Sequence, residues 1–276
     1  LRLAFWTSEK PDPSKPWLLL IHGFPTSSWD WTAVWTALGD QFNLAALDML
    51  GFGLSDKPRN IAYSLLSQAD FHEALLSEIG IGEVHILAHD YGVSVTQELM
   101  ARHNERCLSF AIRSICFLNG GLFPEHYRAR PIQILGRTPL GPLISLMLNK
   151  RRLRKGFDQV FGPETKASDG EINGHWALIT EQGGQVLFHK LLAYIPERKK
   201  YRSRWVGAME NTQIPFCIIN GGADPVSGAH LFDHFTTAFP HAFAKLLPEI
   251  GHYPQTEAPD AVVEAFNQFH NTVFRK

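Results

Sequence analysis

Val84-His85-Ile86-Leu87-Ala88-His89-Asp90-Tyr91-Gly92-Val93-Ser94 is the stretch on which the fold turns. Residues 84–88 form a short apolar run of the kind that fills a strand buried on both faces. From Tyr91 the pattern becomes helical and stays so to about residue 103. One tight turn at Asp90 has to join the two elements. Small residues two before and two after it, Ala88 and Gly92, allow strand and helix to approach closely there. Asp90 thus sits at a helix N-terminus, where the helix dipole and free N–H groups favour an anion. It reads either as an N-cap residue or as a carboxylate kept ionised for chemistry.

Comparable apolar runs lie on both sides, at 17–21, 44–47, 114–118, 216–220 and 244–247. Each is followed by Gly, Asp, Asn or His, as where a buried strand ends at the rim of a parallel sheet. Helical patterns at 31–38, 70–79 and 259–274 fall between or after them, the last opening on Pro259-Asp260. This alternation predicts an α/β fold with a mostly parallel, doubly wound sheet. It breaks after Leu118. From about 121 to 205 there are Pro/Gly breaks (Pro139, Gly141, Pro142), helical stretches and two basic clusters, but no core strand. The expectation is a helical cap at 121–205 inserted between core segments 1–120 and 206–276. The basic clusters, 150–155 and 198–204, read as solvated faces or as attraction for an anionic surface or partner.

Composition narrows the function classes. Across 276 residues the chain is 45% apolar and 19% charged, with a formal net charge of -1, so it is globular and has no electrostatic footprint for nucleic acid. No apolar run reaches the roughly 18–20 residues of a transmembrane helix. Cys107, Cys116 and Cys217 lack metal-ligand spacing. The latter two lie in strand-like runs and read as small buried hydrophobes in a reducing cytoplasm. The first residue, Leu1, is not methionine, which leaves room for an upstream leader. A monomer or a homodimer is expected.

The turn at Asp90 has the shape of the nucleophile elbow G-x-S-x-G, with Asp90 at the serine position, Gly92 as second glycine and Ala88 replacing the first. A carboxylate needs no base to deprotonate it. It attacks esters poorly but suits backside displacement at an sp³ carbon. The product is an alkyl ester on Asp90, which a His-activated water must then hydrolyse. His22-Gly23-Phe24-Pro25 follows the first long strand run, where the N–H of Phe24 and that of Tyr91 would form an oxyanion hole. Asp224, in Asn220-Gly221-Gly222-Ala223-Asp224-Pro225, follows another strand. His252, in Ile250-Gly251-His252-Tyr253-Pro254, follows the last one. Nucleophile, acid, histidine is the chain order of an α/β-hydrolase triad. Asp224 would hold the imidazole tautomer and stabilise its cation. Ordinary alternatives are a turn-forming Asp before Pro and a surface histidine.

Taken together, HGFP, DMLGFGLSDKP, AHDYG, GGADP and GHYPQTEAP resemble the haloalkane dehalogenase and epoxide hydrolase group of α/β-hydrolases, over nearly the whole chain. His89-Asp90-Tyr91-Gly92, Asn119-Gly120-Gly121-Leu122-Phe123-Pro124-Glu125 and the run Arg198-Lys199-Lys200-Tyr201-Arg202 look like the mesoderm-specific transcript-like family. The group resemblance implies a cofactor-free hydrolase without a metal, acting with water on a small apolar epoxide or organohalide. Tyr91 departs from the tryptophan that usually follows the nucleophile in both subgroups, and Phe24 is closer to the epoxide hydrolases. Epoxide opening in that group uses cap tyrosines as proton donors. Tyr201 matches one by context, Tyr127 and Tyr194 are candidates for its partner, and His175-Trp176 could supply donors instead. Epoxide hydrolysis is the favoured expectation. Haloalkane hydrolysis and a non-catalytic binding protein on a hydrolase scaffold are the alternatives.

Overall fold

The computed structural model describes residues 1–274. Seven strands, β1 (Phe5–Thr7), β2 (Trp17–Ile21), β3 (Asn43–Leu47), β4 (Glu83–Asp90), β5 (Ala111–Gly120), β6 (Phe216–Gly221) and β7 (Phe243–Leu247), form one sheet. Their order is β1-β3-β2-β4-β5-β6-β7. Only β1 runs antiparallel; the other pairings are parallel. The expected α/β architecture is the one observed. β1 was not anticipated, since three residues at a sheet edge carry too little pattern to stand out.

Alternate residues of the central strands feed two separate cores. Leu19, Ile21, Ile86, Ala88 and Phe117 join one apolar cluster. Leu18, Leu20, Leu87, Cys116 and Leu118 join the other. This is the period of two expected when both faces of a sheet are covered. Cys116 and Cys217 pair in register and are buried, as small apolar residues would be.

Helices α1 (Thr32–Gly39), α2 (Leu65–Glu78) and α3 (Tyr91–Asn104) cross between the first strands. α2 begins five residues before the pattern suggested, because Ser64 caps it, its Oγ accepting from Leu66 N at 3.2 Å. Between β5 and β6 come α4 (Pro131–Gly136), α5 (Gly141–Leu146), α6 (Lys150–Val160), α7 (Asp169–Thr180), α8 (Phe188–Leu191), α9 (Tyr194–Lys200) and α10 (Arg202–Glu210). α10 is fastened to α3 by Trp205 Nε1–H donating to Glu98 Oε2 at 2.8 Å. Position 205 therefore lies inside a helix that packs against α3. α11 (Ala229–Ala238), α12 (Pro254–Glu257) and α13 (Pro259–Phe274) complete the chain. Among the described residues no helix is long and apolar enough to cross a membrane.

Candidate active site

Asp90 ends β4 with φ 43° and ψ −101°, a region an L-residue enters at a cost of about 1–3 kcal/mol. The turn closes because Gly92 follows. A Cβ there would lie 2.3 Å from Ile21 O and 2.7 Å from His22 O. Asp90 occupies the N-cap position of α3, but its side chain does not cap it, bonding no helical N–H. Its Oδ2 instead accepts from Phe24 N at 3.1 Å, and its Oδ1 faces His252 Nε2 at 4.0 Å. Tyr91 opens α3, so its N–H belongs to the helix turn that has no intrahelical acceptor. Its ring turns inward, edge-on to Phe52 and Tyr194.

His252 Nδ1–H donates to Asp224 Oδ2 at 2.7 Å. That carboxylate also accepts from Val226 N, Ser227 N and Ser227 Oγ. Burial opposes ionisation of Asp224, but the His252 charge and these donors outweigh it and lower its pKa to about 2. Burial likewise opposes the His252 cation, yet the Asp224 charge and hydrogen bond, with Asp90's charge, raise it from 6.5 to about 9. A raised histidine contributes stability that is fully present below about pH 6.5 and lost as the pH climbs through 9. Unfolding curves of wild type and His252→Gln should therefore lie furthest apart at about pH 6, by on the order of 2–3 kcal/mol, and converge towards pH 10. A constant gap across that window would contradict the charged pairing.

Two supports carried no recognised chemical signal. Asn119, at the end of β5, donates from Nδ2 to Asp224 Oδ2 at 3.0 Å and accepts from Gly221 N at 2.6 Å. A polar side chain ending a buried strand is the clue it left. Glu257 clamps the histidine loop, accepting from Gly251 N at 2.9 Å, Tyr253 N at 2.9 Å and Gly162 N at 2.7 Å.

The largest departure from expectation is Arg198. The cluster 198–204 is not one solvated face. Arg202 and Arg204 pair at the surface with Glu125 and Glu105, but Arg198 is 1% exposed. It lies on α9 one turn after Tyr194, and so on the same face. Its Nε–H donates to Ser94 Oγ at 2.7 Å and its Nη2–H to the Asp90 carbonyl at 2.8 Å. Nη2 is also 3.5 Å from Asp90 Oδ1. Its guanidinium lies 4.9 Å and 4.5 Å from the ring centres of Tyr127 and Tyr194, within cation–π range.

Above Asp90 is a cavity of about 150 Å³, bordered by Phe24, Tyr127, Trp176, His252 and Tyr253 among others. An apolar cavity of this size holds roughly one benzene-sized molecule. The Tyr127 and Tyr194 hydroxyls are 3.0 Å apart, and both contact the Gln133 amide at 3.1 Å. Burial, then Asp90's charge, pushes the Tyr127 phenol up to about 12, so it stays protonated. Tyr201 does not border the cavity. It sits at the break between α9 and α10, its ring 5.3 Å from that of Trp205 and under Lys200 Nζ. The helix turn that carries Tyr194 and Arg198 inward directs position 201 elsewhere. His175 is also outside, buried between Trp29 and Phe157. It faces Asp30 at 3.9 Å, as His89 does. Burial holds His89 near 3 and His175 near 4, both neutral at pH 7, and raises Asp30 to about 8. Among the described residues no group of three or more His, Cys, Asp or Glu is arranged to hold a metal ion.

Known proteins share the fold of this chain. Residues 16–259 match the family model described as alpha/beta hydrolase fold. The human mesoderm-specific transcript homolog protein is 39% identical over 99% of this chain and 84% of its own length. The "Putative hydrolase LipZ" of Mycobacterium tuberculosis is 39% identical over 91% of this chain and 86% of its own. A haloalkane dehalogenase variant from Bradyrhizobium elkanii superimposes with a TM-score of 0.78 at 19% identity, covering 99% and 97% of the two chains.

Proposed function

The chain belongs to the α/β-hydrolase fold family, and on that premise we propose that it hydrolyses a small apolar epoxide in two steps through an ester on Asp90. The observation that carries this reading is the different setting of the two Asp90 oxygens. Oδ2 is held by the Phe24 N–H, whereas Oδ1 faces His252, and Asp90 borders the cavity. Oδ1 attacks an epoxide carbon, the C–O bond breaks, and the alkoxide takes a proton from the Tyr127 hydroxyl, with Tyr194 bonded behind it. Esterification removes Asp90's charge, one of the causes that raise His252, so the imidazole then releases its proton more readily and can act as base. Its Nε2 takes a proton from water, and hydroxide adds to Cγ. The resulting oxyanion develops on Oδ2, facing the Phe24 and Tyr91 N–H groups. The proton that His252 gives up before acting as base returns the Tyr127 phenolate to the phenol. Collapse then breaks the Cγ–Oδ1 ester bond and releases the diol, whose oxygen takes the proton His252 drew from water. The Asp90 carboxylic acid left behind passes its proton to His252, restoring carboxylate and imidazolium. The insertion expected at 121–205 acts as the cap over this chemistry through α4 to α9, its last residues belonging to α10, which is fastened to α3.

Halide departure is the second reading, supported by the Trp176 side chain bordering the cavity. A panel of small epoxides and haloalkanes separates the two: diol formation is expected, without halide release. Tyr127→Phe should cut turnover of epoxides by roughly 100-fold, the low end of general-acid effects because Tyr194 stands behind it. Halide release with no diol, or Tyr127→Phe at wild-type rate, would reverse the assignment.

A further inference from the structure

Helices α4 and α5 are built inside out. Their small residues face the protein: a Cβ on Gly136 would lie 2.6 Å from Leu192 Cδ1, and one on Gly141 would lie 2.9 Å from His189 Cβ. The Ser145 hydroxyl bonds His189 Nδ1 at 2.9 Å. Large apolar residues face solvent instead. Ile132, Leu135, Leu140, Leu143, Leu146 and Met147 run from 39% exposed at Ile132 to 69% at Leu146. Single exposed leucines are ordinary, but a contiguous patch marks an interaction surface.

Cations frame this patch. Arg128, Arg130 and Arg137 accompany it, Lys150, Arg151, Arg152 and Lys155 follow it, and residues 126–155 contain no Asp or Glu. Lys150, Arg151 and Lys155 are exposed. The patch is continuous with the cavity above Asp90, which Ile132, Leu148 and Arg152 help to border.

We propose that this face docks on an anionic lipid bilayer, with α4 and α5 lying in the interface and the 150–155 run against the headgroup phosphates. Charge complementarity selects this occupant. A second copy of the chain would set like cations against one another across a two-fold axis, with no carboxylate in the segment to answer them. A small apolar substrate concentrates in a bilayer, and the cavity then fills from it. That delivery role rests on the hydrolase reading above; the docking does not.

Flotation of the full chain carrying Asp90→Asn tests docking without turnover. It should rise with phosphatidylcholine vesicles containing phosphatidylserine, not with phosphatidylcholine alone, and should be released by high salt. Leu143→Ser with Leu146→Ser should weaken binding about a hundredfold or more, roughly the loss of two buried apolar side chains. Lys150→Gln with Arg151→Gln and Lys155→Gln should weaken it about a hundredfold, each cation near an anionic surface being worth about fivefold. Unchanged melting curves exclude misfolding in these surface variants. Absence of flotation overturns the proposal, as does flotation indifferent to both variants, or a dimer dissolved by the serine pair without any vesicle binding. Turnover of a water-soluble epoxide by the serine pair, expected at the wild-type rate, reports on the active site alone and keeps the two failures apart.

Discussion

In a His252→Gln protein incubated with a reactive epoxide, the peptide carrying Asp90 gains the mass of the substrate. Alkylation needs only the carboxylate, whose Oδ1 is free of the Phe24 N–H that holds Oδ2. Hydrolysis of the ester needs the base, and glutamine cannot take a proton from water. The variant should therefore perform one half-reaction and stop, its steady-state rate falling by about 10³-fold or more, as when a triad member is removed. Asp90→Asn should lose comparable activity and gain no mass. Peptide mass spectrometry after quenching checks both. An unmodified Asp90 peptide across the epoxide and haloalkane panel would exclude covalent catalysis at this residue.

Arg198→Met is expected to have the second-largest effect, on stability and turnover together. The guanidinium is buried beside Asp90, and its removal leaves the Asp90 carbonyl and Ser94 Oγ without their donors. Breaking a buried ion pair from one side costs about 3–5 kcal/mol. The two tyrosine rings also lose the plane between them. Turnover should fall through kcat more than KM, because Arg198 positions Asp90, Tyr127 and Tyr194 and does not border the cavity. Arg198→Lys separates charge from shape. It should recover part of the stability but little of the alkylation rate, since an ammonium cannot supply the flat, forked set of donors. Urea unfolding with single-turnover kinetics measures both. A methionine variant that melts and turns over like wild type would remove Arg198 from the site.

The elements legible in the sequence were those whose signal is local. Residues 17–21 and 216–220 announced strands because both faces are buried, so every position but Asn220 is apolar. Asp90, Asp224 and His252 stood out because each follows such a run at the sheet rim, and their side chains do converge, His252 Nδ1 meeting Asp224 at 2.7 Å. Arg198 was hidden among exposed cations, since nothing in Arg-Lys-Lys tells which of three neighbours points inward. Asn119 was visible only as part of a motif, its partner lying 105 residues away.

Local patterning was thus enough for the parallel strands of the sheet, the tight turn and the order of the three chain segments that meet there, because strand burial and turn chemistry are properties of a few adjacent residues. The cap tyrosines were another matter. Tyr127, Tyr194 and Tyr201 are equivalent in composition, and the rotation of α9 brings the Tyr194 hydroxyl to within 3.0 Å of that of Tyr127, which lies between β5 and α4, while Tyr201 goes to the side of Trp205. Which phenol overlooks the carboxylate depends on how one helix packs against another, a long-range property that no stretch of neighbouring residues encodes.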